Sequence, residues 1–268
     1  MKKYIVPIIA LLSLVVVSCS SDDNGMDSEG LEGSGEVSLT FDNGIGGNDL
    51  VLNTANTANA NGEVLTISRF NYIVSNFRLV NKDGEEFTFA KDDSYFIINQ
   101  EAGEETVELP EIPAGEYTTV KFGIGVDQEK FQQGAEGQGD FLAQAEASNM
   151  MWSWQAGYKF LNFEGTFTSE TVTEAENFKV HMGSHGSSLD NYKEVTLELP
   201  ANIKVSNEMD ANIHLKIDAS KILISSTSNI KFSEQAVIMV DEVKSPQIAI
   251  NVTEMFTVDH VHNGSGHH

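Results

Sequence analysis

Alternation of apolar and polar residues with a period of two recurs along this chain from Val37 almost to its end, and that period restricts most of it to β-strands. Val37-Ser-Leu-Thr-Phe41 alternates cleanly. In Leu65 to Val80, Phe70, Tyr72, Val74, Asn76 and Arg78 share one parity, while Ile67, Ile73, Phe77 and Leu79 hold the other. Short strands are expected at Phe87 to Phe89, Tyr95 to Ile98, Thr106 to Leu109, Tyr117 to Val126, Tyr158 to Phe167, Phe178 to Met182 and Val195 to Leu199. Ile213, Leu215 and Ile217 then oppose Asn212, His214, Lys216 and Asp218, and Ala236 to Val240 and Ile248 to Val252 close the series. Many short strands separated by Gly, Asn and Asp predict an all-β fold, an antiparallel β-sandwich with long irregular loops and little helix.

Three segments break the period. Gln128 to Asn149 is rich in Gly, Gln and Ala, with one short helix expected over Asp140 to Ala147; Ala219 to Gln235 is polar; Asn53 to Asn61 is a low-complexity loop. No repeat of solenoid length is present.

The first residues read as an export signal. Lys2 and Lys3 precede an apolar run from Ile5 to Val17, shorter than the ~20 residues that span a bilayer. The run ends in Val16-Val17-Ser18-Cys19, which resembles a lipoprotein cleavage box. Cys19 is the one cysteine of the chain; as the expected lipid anchor it leaves none for a disulfide, the alternative being an ordinary secretory signal with an incidental cysteine. The expected organisation is a signal peptide over 1–18, a flexible acidic tether over 19–35 and one domain over 36–268. The Ser21-Asp22-Asp23 start of the tether points to an outer-membrane lipoprotein, on the periplasmic face or the cell surface. The formal charge of -24 argues against nucleic acid as a partner, since phosphate binding depends on Lys and Arg, and favours cations and basic proteins.

Familiar catalytic signatures are missing. Gly183-Ser184-His185-Gly186-Ser187 is not a nucleophile elbow, because Ser184 follows its glycine directly. Gly123-Ile-Gly125 lacks the third glycine of a dinucleotide fingerprint, and Asp42 to Asp49 lacks the order of a calcium-binding hand. No nucleophile, base and orienting group occur together, so no enzymatic turnover is expected.

Three segments carry ligand chemistry. Asn149 to Gly165 gathers Met150, Met151, Trp152 and Trp154, an oxidisable and polarisable group that equally suits plain core packing. Phe178 to Gly186 places His181 opposite the inward-facing Phe178, Val180 and Met182. His181 and His185, four extended residues apart, stand ~13 Å from each other, so they share an ion only if the chain turns at Gly183. The third segment holds His260 and His262, ~6.6 Å apart on one strand face, followed by His267 and His268. Surface histidines without ligand roles are the alternative, and His214, isolated on a polar face, reads as solvated. Imidazole suits copper, nickel and zinc, and thioether and indole neighbours favour copper.

At these residues the chain resembles a known group. Tyr72-Ile-Val-Ser-Asn-Phe-Arg-Leu79, Ile112-Pro-Ala-Gly-Glu-Tyr117, Phe122-Gly-Ile-Gly-Val-Asp127, Met151-Trp-Ser-Trp-Gln-Ala-Gly-Tyr-Lys-Phe160 and Val180-His-Met-Gly183 follow in the order of the MbnP family of copper-binding proteins, which takes in methanotroph surface proteins of the MopE and CorA type. The resemblance runs from about Val37 to Leu199, and more loosely to the end. It implies a copper site of histidines with a tryptophan oxidised to kynurenine, and a diheme, MauG-like peroxidase as partner. His181 matches the His-x-Gly position, and Trp152 and Trp154 match the tryptophan block. Two places depart from members near MbnP itself: Ser187-Ser188 stands where they carry Cys, and Lys130-Phe131 where they carry Asn-His. The C-terminal histidines are the candidate replacement. The expected function is copper capture or storage by a surface lipoprotein, with ligands drawn from His181, His185, His260 and His262. The alternative is a structural or adhesive sandwich without metal.

Overall fold

The computed structural model describes residues 30–153 and 157–264. Cys19 with its signal, the tether as far as residue 29, Trp154, His267 and His268 lie outside the described residues.

Strand β1 (Ser34–Ile45) turns at Gly46 and Gly47 into the two-residue β2 (Asn48–Asp49), and β3 (Val64–Asn81) follows after a loop. Next come β4 (Glu86–Thr88), β5 (Tyr95–Asn99), β6 (Thr106–Pro113) and β7 (Gly115–Ile124). Two short helices, α1 (Gln128–Gln132) and α2 (Phe141–Ala147), lead into the hairpin of β8 (Met151–Ser153) and β9 (Gly157–Tyr158). The chain continues through β10 (Leu161–Thr168), β11 (Glu176–Met182), β12 (Lys193–Val205), β13 (Ala211–Asp218), β14 (Val237–Ile238), α3 (Lys244–Asn251) and β15 (Phe256–Asn263).

The main strands form two sheets. One is ordered β15-β13-β1-β2, with β6 also on β1; the other is ordered β12-β7-β3-β10-β11-β14, with β4 and β5 on β3. Aromatic rings join them. Phe41 of β1 lies 6.1 Å from Phe122 of β7 and 6.2 Å from Tyr72 of β3, and Phe256 of β15 lies 5.1 Å from Phe122. Edge-to-face geometry at these spacings is the favoured packing of aromatic rings, and the buried Tyr72 hydroxyl donates to Asn43 Oδ1 across the interface at 2.9 Å. The core therefore sits between the sheets, as expected for an all-β sandwich.

The sheets are mixed rather than purely antiparallel. β1 pairs with β13 in parallel, as does β11 with β14. Partners far apart in sequence carry no hairpin constraint, so alternation alone left their direction undetermined.

A second difference is that Ile248 to Val252 is helical. Ile248, Ala249 and Val252 are buried while Ile250 is exposed, which is one face of a 3.6-residue period and not of a two-residue one. Pro246 falls in the first turn of α3, where its missing N–H costs no hydrogen bond. A third concerns Ala219 to Gln235, whose Ile222, Leu223, Ile230 and Phe232 are all buried.

The mixed parity of β3 also has a cause. The ladder to β10 slips between Arg69 and Ile67, and the ladder to β7 slips between Ser75 and Arg78, where Asn76 has a φ of 53°. Each irregularity exchanges the inward and outward sets, so one strand buries Leu65 and Ile67, then Phe70, Tyr72 and Val74, then Phe77 and Leu79.

Candidate functional site

On β11, Phe178, Val180 and Met182 enter the core, so His181 faces away from it. The ladders set Asn162 of β10 opposite His181, and Asn71 of β3 opposite Asn162. An exposed ring is expected here, yet His181 is only 6 % exposed. The segment before β10 roofs this face: Asn149, at a φ of 57°, accepts through its carbonyl from Asn162 Nδ2 and from Lys159 Nζ, both at 3.1 Å.

Under that roof His181 Nε2 meets Glu164 Oε1 at 2.6 Å, while Nδ1 is buried without a hydrogen-bond partner. Burial lowers the imidazole pKa, and this outweighs the opposing pull of Glu164, so the ring is neutral at pH 7. A neutral ring next to a carboxylate donates Nε2–H to it and keeps its lone pair on Nδ1. A carboxylate holding one nitrogen while the other carries a free lone pair is the usual dress of a metal-binding histidine. Because the folded pKa lies below the unfolded 6.5, the stabilising contribution of this ring is complete above about pH 6.5 and disappears as pH falls through the folded value. The stability difference between the wild type and His181→Gln, from denaturant titrations at stepped pH, is expected to follow that course.

The other two elements of the sequence pattern converge close by. A Cβ on Gly183 would lie 3.0 Å from Cη2 and Cζ3 of Trp152, so the indole edge rests on the residue two past His181. The Trp152 ring packs 4.5 Å from that of His185, tilted by 36°, and its Nε1 is buried without a hydrogen-bond partner. The chain leaves β11 after Met182, and a bridge between His185 and Leu189 brings His185 back over the indole. Trp152, His181 and His185 thus belong to one region. Glu164, which orients His181, carries no signal in the sequence beyond its place two residues from Asn162.

His260 and His262 stand elsewhere. They lie on β15, on the outward face of the other sheet, so the sandwich core separates them from His181 and His185. His214 is not isolated: β13 pairs with β15 so that His214 lies opposite His260, with ring centroids 4.7 Å apart. Cross-strand pairing between positions so far apart in the chain left no mark on the local pattern. The segment from Asp42 to Asp49 is the end of β1, a turn at Gly46 and Gly47, and β2, tied down by Gly46 N–H, which donates to Asp218 Oδ1 at 2.9 Å.

The polar network beside α1 is structural. Burial acts to raise the Asp127 pKa, but hydrogen bonds from Tyr95, Asn76, the Lys130 N–H and Lys91 prevail and hold it at about 2. Asp127 caps α1 and fixes it to β5.

Comparison with known proteins gives a family match and a structural likeness. The family model described as MbnP matches residues 34–242, which stops short of β15. No curated protein matches. Among solved structures, MbnP from Methylosinus trichosporium is similar with 14 % identity and a TM-score of 0.42, over 68 % of this chain and 76 % of that one.

Proposed function

The chain belongs to the MbnP family, which is associated with copper, and on that premise we propose that it captures copper at the His181 region as a non-enzymatic, lipid-tethered protein. The observation that carries the reading is the His181 couple: a neutral ring held by Glu164 at 2.6 Å, with a buried Nδ1 that no hydrogen bond uses. His185 and Trp152 are the neighbours from which further contacts to the ion would come. Imidazole ligands beside an indole suit copper better than hard cations, which prefer oxygen.

Cys19 would hold the domain to the outer membrane, on its periplasmic face or at the cell surface, with 19–35 as tether. A kynurenine formed from Trp152 or Trp154 by a diheme peroxidase belongs to the same reading. The mass of the peptide carrying them, from protein made in the native host, checks that part, and an unmodified mass removes it.

Copper binding is tested on the mature domain by equilibrium competition with a chromophoric chelator. Replacing His181 by alanine is expected to weaken retention at this site at least tenfold, since even partners behind a ligand cost 10–100-fold when removed. Unchanged affinity would exclude His181. A folded wild type that retains no copper would leave a structural sandwich as the function.

A further inference from the structure

The outward face of β13 and β15 assembles a different group of ligands, independent of the His181 region. A register shift in the β13–β15 ladder falls between His214, which is opposite His260, and Leu215, which is opposite Val258. Asp259 is the extra residue of this bulge. A bulge lets two consecutive side chains approach one face, so Asp259 and His260 both stand beside His214. Candidate donor atoms of His214, Asp259 and His260 all lie within 4.8 Å of one another, and among the described residues no other trio of histidine, cysteine or carboxylate side chains gathers this closely. His262 adds a third ring, edge-on to His260 with centroids 4.7 Å apart.

The details are those of a ligand set. Asp259 Oδ2 lies 2.8 Å from His260 Nδ1, an arrangement that puts the proton on Nδ1 and the lone pair on Nε2. His214 Nδ1 is buried without a hydrogen-bond partner. Bonds of ~2.0 Å set two donors about 3–4 Å apart, so these partly exposed side chains reach a shared ion by small rotations. Lys216 Nζ, 3.5 Å from Asp259 Oδ1 and largely exposed, is free to swing aside.

We infer that His214, Asp259 and His260, with His262 beside them, form a second metal site, open to solvent and suited to a borderline divalent ion. Imidazole with carboxylate and no thiolate selects Cu2+, Ni2+ or Zn2+ over Mg2+ and Ca2+, and the order of stability of these ions puts Cu2+ first. His260 and His262 rest on β15, beyond the stretch that the family model matches, while His214 on β13 lies within it.

The test uses the mature domain with His267 and His268 replaced by serine throughout, so that the tail contributes no ligand. Cu2+ binding is followed by competition and by nitrogen hyperfine structure in electron paramagnetic resonance. Carbethoxylation of each histidine with and without Cu2+, mapped by peptide mass, gives a readout that needs no variant. The His214→Ala/His260→Ala chain is expected to lose one Cu2+ of the wild-type complement, with affinity there at least tenfold weaker, and Cu2+ is expected to protect His214 and His260 from modification. Loss of an ion in His181→Ala but not in the double variant, with no protection of His214 and His260, overturns this inference and leaves the His181 reading standing. The reverse pattern supports the inference and removes the His181 reading.

Discussion

Phe178→Ala is expected to lower the stability of the domain by about 3–5 kcal/mol, the range for deleting a buried phenyl ring from a packed core. Phe178 is fully buried, stacked on Phe232 at 4.4 Å and 15°, and 5.0 Å from Phe163. Gly165 lies opposite it on β10, where a Cβ would come within 2.9 Å of the ring. The ring therefore joins β10, β11 and the irregular segment that carries Phe232. Little can collapse into the vacated space, because Phe163 and Phe232 are held by other rings: Phe163 by Phe70 and Phe232 by Phe167. Guanidinium unfolding followed by circular dichroism reads the effect; a loss under 1 kcal/mol would mean that the three elements do not depend on this contact.

Gly183→Val is expected to cost about 3 kcal/mol, the upper end for overpacked interiors. A Cβ there would stand 2.2 Å from the Tyr158 carbonyl oxygen, a backbone atom on β9 that cannot rotate away, and 3.0 Å from Trp152. The main chain of β9 and the indole edge both have to shift to admit the side chain. In a Trp154→Phe background, where Trp152 is the one remaining indole, the emission maximum is expected to move to longer wavelength. Copper retention at His181 should fall with it. An unshifted spectrum would show that the indole does not rest on Gly183.

How much of this was legible in the sequence depended on the range of the signal. Alternation located nearly every strand, because a side chain's face is set two residues away. The helical α3 was misread, because Ile248-Ala-Ile-Asn-Val252 fits both periods until burial shows Ile250 outside; in β3 the strand was legible, but not the extra residues that swap its faces. The grouping of Trp152 with His181 and His185 followed from segments recognisable one by one. By contrast, the partnership of His214 with His260 depends on a pairing between β13 and β15, and the approach of Asp259 depends on a bulge within that pairing. Neither leaves a trace in local spacing. The burial of His181 was hidden as well, since the roof over it comes from Asn149 and Lys159, held by hydrogen bonds of side chains that look like ordinary surface residues.

The parallel seat of β1 beside β13 bears on the order in which this molecule comes into being. β1 is the first strand of the domain, yet its backbone is completed by residues some 174 positions later, as in the Glu36 N–H that donates to Asp210. Closing so wide a loop must precede the reward of pairing, which puts such topologies among the slow folders. A chain that emerges from its N-terminus thus leaves β1 without its parallel partner until Ala211–Asp218 has followed.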